Sequence, residues 1–272
     1  MGQDWDPDLY AGSAAYYAVG RMAYPPELPE AFARELALDA TGRLLDVGCG
    51  PGQLTLLLAP WFAESVGIDA DADMVAEAQG RAGGMAGVRF RRMLAEELPG
   101  GLGAFDLVTF AQSFHWLDRP RVAAAVRGVL APGGACAVVH ATMHHGVDPV
   151  GELPHPRPPH DVIAALIRRY LGPVRRAGSR LVPDDLPSDS VEVFRAAGYR
   201  GPRRFEVPGR IVVRTADQLV ATVYSLSSST PHLFGDRRAA FEAELRQVLH
   251  DAAPDGRFAE QTREIAVDLW SV

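Results

Sequence analysis

The run Leu44-Leu45-Asp46-Val47-Gly48-Cys49-Gly50-Pro51-Gly52 holds residue types that together can seat an anionic or nucleotide-like ligand. A short apolar run ends in an acid, and a glycine-rich turn then leads into an amphipathic helix. Glycines let the backbone approach a ligand closely, and the partial positive charge of a helix N-terminus favours anionic groups. The spacing is G-x-G-x-G, one residue short of the G-x-G-x-x-G dinucleotide fingerprint, and an acid precedes it. Asp69 ends the second apolar run, nineteen residues after Gly50. A carboxylate there can accept bonds from both hydroxyls of a ribose. Met74, five residues on, can cover one face of an adenine. Five histidines (His140, His144, His145, His155 and His160) crowd a later stretch, but no nearby acid falls at a convincing ligand spacing. They read as a proline- and histidine-rich surface loop, with no metal expected.

Composition filters the possible chemistry further. All 27 basic residues are arginine, and neither lysine nor asparagine occurs. Schiff-base catalysis, a P-loop lysine and a kinase ion pair are therefore excluded. Both absences, with scarce isoleucine, match the codon usage of a GC-rich bacterial genome. A net charge of −7 argues against a nucleic-acid partner. Two cysteines, Cys49 and Cys136, are too few for a disulfide framework or a four-cysteine zinc site. The acidic start, Met-Gly-Gln-Asp-Trp-Asp-Pro-Asp, has no apolar run behind it, and no stretch reaches the ~18 apolar residues of a membrane span. A cytoplasmic protein with no membrane partner is expected.

The elements that must position these residues alternate as βα units between Tyr24 and His140. Pro25 and Pro26 start a helix with Leu28, Phe32 and Leu36 on one face. Strands are predicted at Arg43 to Val47, Ser65 to Asp69, Val88 to Arg92, Phe105 to Phe110 and Ala135 to Val139. Helices are predicted over Gln53 to Trp61, from Asp71 or Asp73 through Ala82, and from Asp118-Arg119-Pro120 to a stop at Pro132-Gly133-Gly134. Eight prolines between Pro149 and Pro187 break the pattern around one helix, Asp161 to Leu171. Asp189 with Glu192 is expected to cap a helix that Gly198 closes. Strand segments at Phe205 to Val207 and Ile211 to Val213, helices from Thr215 and over Asp236 to His250, and a last strand over Thr262 to Trp270 follow. The expected divisions are 1–141 for the N-terminal segment and ligand-binding core, 142–200 for a lid, and 201–272 for completion of the sheet with added helices.

Asp46-Val-Gly-Cys-Gly-Pro-Gly, Gly67-Ile-Asp69, Ala95-Glu96-Glu-Leu-Pro99, Phe105-Asp106-Leu107-Val108, Ala111-Gln112-Ser-Phe-His115-Trp116 and Leu130-Ala-Pro-Gly-Gly134 resemble, in order and spacing, the class I S-adenosylmethionine-dependent methyltransferases. The resemblance covers roughly residues 17 to 140. The Ala-Gln-Ser-Phe-His-Trp run is similar to the type 11 small-molecule subgroup. The resemblance implies an α/β, Rossmann-like fold: a seven-stranded, mostly parallel sheet with helices on both faces and a helical lid inserted after the fifth strand. It also implies S-adenosylmethionine as cofactor and S-adenosylhomocysteine as product. Gly48, Cys49 and Gly50 would pass their backbone along the methionine part, with Asp46 orienting the turn. Asp69 would hold the ribose, Ala70 and Met74 would flank the adenine, and Ala95 and Glu96 would sit at its edge. Ala111 and Gln112 would meet the methionine part near the sulfonium. Tyr17, Arg21 and Tyr24-Pro25 are similar to the subgroup's N-terminal motif, in which Arg21 would pair with the cofactor carboxylate. Leu94 departs from the pattern by replacing the usual polar residue before Ala-Glu.

Methyl transfer is an in-line displacement that needs alignment and exclusion of water. Tyr16, Tyr17, Phe114 and Trp116 can face a positive sulfur through their rings, or simply pack the lid. His115 is the candidate base for a hydroxyl or amine acceptor, against a purely structural role in its loop. The expectation is methyl transfer to a small-molecule acceptor (O-, N- or C-methylation), plausible in bacterial natural-product biosynthesis, by a monomer or homodimer. The alternative is the same fold binding the cofactor for a rearrangement or a non-catalytic role.

Overall fold

A computed structural model of the chain describes residues 6–174, 176–177, 180–181 and 190–272, with side chains over 6–174 and 190–272. The acidic first five residues and Asp189, the expected helix cap, lie outside the described residues.

The elements run α1 (Ala14–Gly20), α2 (Glu27–Leu36), β1 (Arg43–Val47), α3 (Gln53–Leu58), β2 (Glu64–Asp69), α4 (Ala72–Ala82), β3 (Val88–Arg92), β4 (Phe105–Ala111), α5 (Arg119–Arg127) and β5 (Leu130–His140). Then come α6 (His160–Leu171), a short pairing of β6 (Arg176–Ala177) with β7 (Arg180–Leu181), α7 (Ser190–Ala196), β8 (Arg200–Val207), β9 (Ile211–Thr215), α8 (Ala216–Tyr224), α9 (Arg238–Ala252), β10 (Arg257–Gln261) and β11 (Ile265–Ser271). The seven-stranded sheet has the order β3-β2-β1-β4-β5-β11-β8. Pairing is parallel from β3 across to β5, and β11 is antiparallel to both its neighbours.

This order reverses between β1 and β4: the chain moves outward through β2 and β3 and returns on the other side of β1. At such a switch point the flanking connections leave in opposite directions and open a crevice beyond the strands' carboxyl ends. The apolar alternation places Leu45, Val47, Val108 and Phe110 in a core with α5 and α7, and Leu44, Leu107, Val139 and Val267 in a core with α2 and α3. A third cluster joins α6, α8 and α9 through Ile163, Leu219, Tyr224, Phe241 and Phe258, with Tyr16 of α1 packed against it. Gly20 makes the α1–α8 crossing possible, because a Cβ there would lie 2.4 Å from the Ala221 and Thr222 backbone.

Several expected boundaries change. The helix after the glycine turn is α only to Leu58 and tightens to a 3₁₀ turn over Ala59–Trp61, where Pro60 cannot donate. β5 begins at Leu130, paired with Phe105, and Pro132-Gly133-Gly134 is a bulge inside it, so the register jumps before Leu107 meets Ala135. β9 leaves the main sheet and pairs with β10, a strand absent from the sequence expectation. Elsewhere the local signals hold. Asp71 caps α4 through the Asp73 and Met74 amides, Asp118 caps α5, and Thr215 with Gln218 forms a capping box.

Candidate active site

β1 delivers Asp46 into the sheet, where it is 1% exposed. Thr55 Oγ1 of α3 donates to one carboxylate oxygen at 2.6 Å, and Thr109 Oγ1 of β4 donates to the other at 2.8 Å. Burial raises the Asp46 pKa, partly offset by these hydroxyls. The acid therefore ties β1, α3 and β4 together beneath the turn. The turn's own amides are largely used internally: Gly48 and Cys49 both donate to the Ile68 carbonyl, and Gly52 donates to the Cys49 carbonyl. These two amides tie the turn to the end of β2. The Cys49 side chain packs with Val75, Ala78 and Phe90, behind the turn. Gly48 has φ +68°, and a Cβ on it would lie 2.5 Å from Ser113 Cβ. A Cβ on Gly50 would meet nothing within 4 Å.

Asp69 closes β2 and faces the same space. Its Oδ2 accepts the Gly50 amide at 2.8 Å, and its Oδ1 accepts the Asp71 amide at 2.9 Å. Burial pushes its pKa up to about 6, against the pull of these two bonds. On the far side of β4, Gln112 takes a left-handed conformation, φ +57°, which is uncommon for a residue with a side chain. The turn is held by Ser113, whose hydroxyl donates to the Val47 carbonyl at 2.6 Å.

These parts line one cleft of about 1160 Å³ of empty space, its open mouth included. Of the expected site residues, Tyr17, Gly48, Gly50, Asp69, Ala70, Met74, Ala95, Glu96, Ala111 and Gln112 line it. Asp46, Cys49, Arg21 and His115 are not in the lining. Of the aromatics, Trp116 joins Tyr17 there. Tyr16 instead packs on Tyr224, and Phe114 is buried between Phe110 and Phe194, so neither ring faces the cleft. Leu9, Tyr10, Met93, Ser113, Leu117, Asp118 and Arg121 also line it, unforeseen from the sequence.

His115 sits in a 3₁₀ turn with its ring 4.9 Å from that of Trp116. Burial, aided by Arg119, pushes its pKa down to about 4. The imidazole is thereby held in its neutral form, outside the cleft lining. Arg21 stands behind Tyr17, with its guanidinium carbon 4.6 Å from that ring's centre. It donates to the Ser225 carbonyl at 2.9 Å, and its Nε is buried without a partner among the described residues.

Within the histidine group His144, His145 and His160 stay together, with ring centres 4.4 Å apart for the first two and 6.1 Å apart for the last two. His140 meets Asp268 at 3.0 Å, and His160 meets Glu260 at 2.7 Å. Glu260 also accepts from Arg214 and from the Gly146 amide. Burial would raise its pKa, but these three bonds reverse that and hold it near 2. Among the described residues no group of three or more His, Cys, Asp or Glu is placed to hold a metal, and no helix is long and apolar enough to cross a membrane.

The cleft lies at the β1–β4 switch point, with residues of the glycine turn and Asp69 in its lining. Residues 44–134 match the family model of the methyltransferase domain. That match spans β1 through the bulge of β5, and so carries the turn, Asp69 and the end of β4. Over 152 residues the chain is 34% identical to an uncharacterized methyltransferase of Mycobacterium tuberculosis, covering 54% of this chain and 58% of that protein. It is 34% identical over 142 residues to a trans-aconitate 2-methyltransferase of Deinococcus radiodurans, covering 49% and 48% of the two. The chain thus spans about half the length of the curated relatives it matches. The fold is the Rossmann-like methyltransferase fold. It superposes on the YcgJ protein of Bacillus subtilis with a TM-score of 0.51 at 20% identity, covering 89% of this chain and 97% of that one. For the [4+2]-cyclase SpnF the TM-score is 0.52 at 21% identity, covering 97% and 92%.

Proposed function

We propose that the methyltransferase domain and its added helices form an S-adenosylmethionine-dependent methyltransferase acting on a small-molecule acceptor. The observation that carries this reading is the Asp69 carboxylate on the floor of the cleft, fixed by the Gly50 and Asp71 amides beside a glycine whose missing Cβ leaves open space. The donor set fits the cofactor. Asp69 would accept the two ribose hydroxyls, Ala70 and Met74 would cover the adenine, and Ala95 and Glu96 would border its edge. Gly48, Gly50, Ala111 and Gln112 would lie along the methionine part. Arg21, with its unpartnered Nε, would reach the carboxylate after a modest rearrangement.

When bound, the cofactor supplies an electrophilic methyl on a sulfonium. The chain's own task is placement. The left-handed Gln112 and the Ser113–Val47 bond hold the end of β4 against the turn, and Tyr17 and Trp116 enclose the cleft and exclude water. The net charge of −7 and the enclosed, largely apolar lining support a small acceptor over a nucleic acid. Arginine-only basicity supports a GC-rich bacterial origin, with natural-product methylation by a cytoplasmic monomer or homodimer as the setting.

The likeness to SpnF, a cyclase by name, supports a second reading in which this fold holds the cofactor without transferring its methyl. Incubation with S-adenosylmethionine and a panel of phenols, amines and carboxylic acids, trans-aconitate included, separates the two. Acceptor-dependent release of S-adenosylhomocysteine supports the transferase. Tight cofactor binding with no release from any acceptor supports the second reading.

A further inference from the structure

We propose that His144 is a positioning residue for cofactor binding: it tethers the Arg21 guanidinium through a neutral nitrogen and leaves its charge for the donor's carboxylate. The inference rests on the reading of Arg21 given above.

The backbone first brings the two residues together. Arg21 directly follows α1, and the next amide, that of Met22, donates to the Met143 carbonyl at 2.8 Å. Residues 21 and 144 therefore lie side by side although they are 123 positions apart in the chain. The segment carrying His144 is pinned again just beyond. There the Gly146 amide donates to Glu260 Oε1 and the Val147 amide to the Gln261 carbonyl, each at 2.8 Å. The His144 ring packs edge-on against that of His145.

Arg21 Nη1 lies 3.3 Å from His144 Nδ1. A guanidinium only donates, so the ring nitrogen accepts, which makes His144 neutral with its proton on Nε2. Arg21 Nη2 donates to the Ser225 carbonyl at 2.9 Å. Both tethers are uncharged, so they fix the direction of the guanidinium without cancelling its charge as a carboxylate partner would. The guanidinium stacks on Tyr17, which lines the cleft, and its Nε is buried without a partner among the described residues. The charge is felt in the lining itself: burial raises the pKa of the Tyr10 phenol, and Arg21 opposes that rise. An untethered arginine loses rotamer freedom when a ligand captures it, whereas the tethered one is already ordered.

The test compares, by calorimetry, S-adenosylhomocysteine with its decarboxylated analogue, which keeps the adenosine, the thioether and the amine. His144→Ala is expected to weaken S-adenosylhomocysteine at least about fivefold and to leave the analogue within about twofold. His144→Phe keeps a ring beside His145 but offers no acceptor, and it serves the same purpose should the alanine variant fail to fold. His144→Asn supplies a neutral amide oxygen and is expected to restore wild-type affinity for both ligands within about twofold. Arg21→Leu is expected to abolish the preference for the carboxylate. Equal weakening of both ligands when the acceptor is removed, failure of asparagine to rescue, or unchanged or tighter S-adenosylhomocysteine binding without the acceptor each overturns the role of His144. A wild type that binds the two ligands equally, or an Arg21→Leu variant that keeps the preference, overturns the carboxylate reading of Arg21 and this inference with it. Binding of neither ligand by the wild type overturns the methyl-donor reading itself.

Discussion

The carboxylate of Asp69 accepts the amide of Gly50 at 2.8 Å, so the acid that ends β2 fixes the turn that follows β1. The two elements therefore act as one unit. The bond holds the Gly50 amide and the Asp69 side chain in place together, alongside the backbone bonds from Gly48 and Cys49 to the Ile68 carbonyl.

Affinity for S-adenosylhomocysteine should depend on Asp69 ionisation. The Asp69 pKa stands at about 6, above the ordinary 3.8, so the folded chain takes up a proton as pH falls through about 6. The neutral carboxyl is a poorer acceptor for a diol. Calorimetry should show affinity about tenfold lower at pH 5 than at pH 7.5. The unliganded fold moves the opposite way for this group, gaining stability over the same window, because its charged form is held at a cost. Affinity that is flat from pH 7.5 to 5 contradicts the assignment.

Gly48→Ala and Gly50→Ala should separate stability from binding. Both positions have positive φ, a strain of roughly 1–2 kcal/mol for alanine. At Gly48 the new Cβ also meets Ser113 at 2.5 Å, so thermal unfolding should show the larger loss. At Gly50 the Cβ enters open cleft, so the stability loss stays near the backbone strain while ligand affinity falls at least tenfold. Equal effects of the two variants on both measurements would contradict the geometry.

Legibility followed how local each signal was. The glycine turn, Asp69 and the α4, α5 and α8 caps were readable because they depend on short spacing and backbone chemistry. Position relative to the cleft was harder, since one residue decides it. Tyr17 lines the cleft while Tyr16 packs on Tyr224, and Trp116 lines it while Phe114, in the same 3₁₀ turn, is buried in the core. β10 escaped notice because Arg-Phe-Ala-Glu-Gln has no apolar alternation: Glu260 is buried only because Arg214, His160 and the Gly146 amide converge on it. Such convergence joins segments far apart in the chain.

Glu260→Ala should be among the most destabilising single changes outside the cleft. It strands Arg214, 3% exposed, without its carboxylate, and loss of one partner of a buried pair costs about 3–5 kcal/mol. Arg214 also donates to the Gly20 carbonyl at the end of α1, so the wall bearing Tyr17 should loosen with it. The depression from 4.5 to about 2 corresponds to about 3 kcal/mol of stability, present above pH 4.5 and lost as pH falls from there toward 2. Denaturant unfolding of wild type and variant checks this. A loss below about 1 kcal/mol at pH 7 contradicts it.

His115 should titrate far below the physiological range. Proton NMR of its ring is expected to give a midpoint near 4, and His115→Ala should lower the thermal midpoint while leaving S-adenosylhomocysteine affinity within about threefold. A midpoint above 6, or a large loss of affinity, would return His115 to the site.

The central claim, that this cleft seats S-adenosylmethionine across Asp69, is tested most directly by calorimetric titration of wild type and Asp69→Ala with S-adenosylhomocysteine at pH 7.5. The account predicts one site per chain with micromolar affinity in the wild type. The variant should lose about 100-fold or more, the worth of two charge-assisted hydrogen bonds. Absence of wild-type binding at millimolar ligand, or equal binding by the variant, would contradict it.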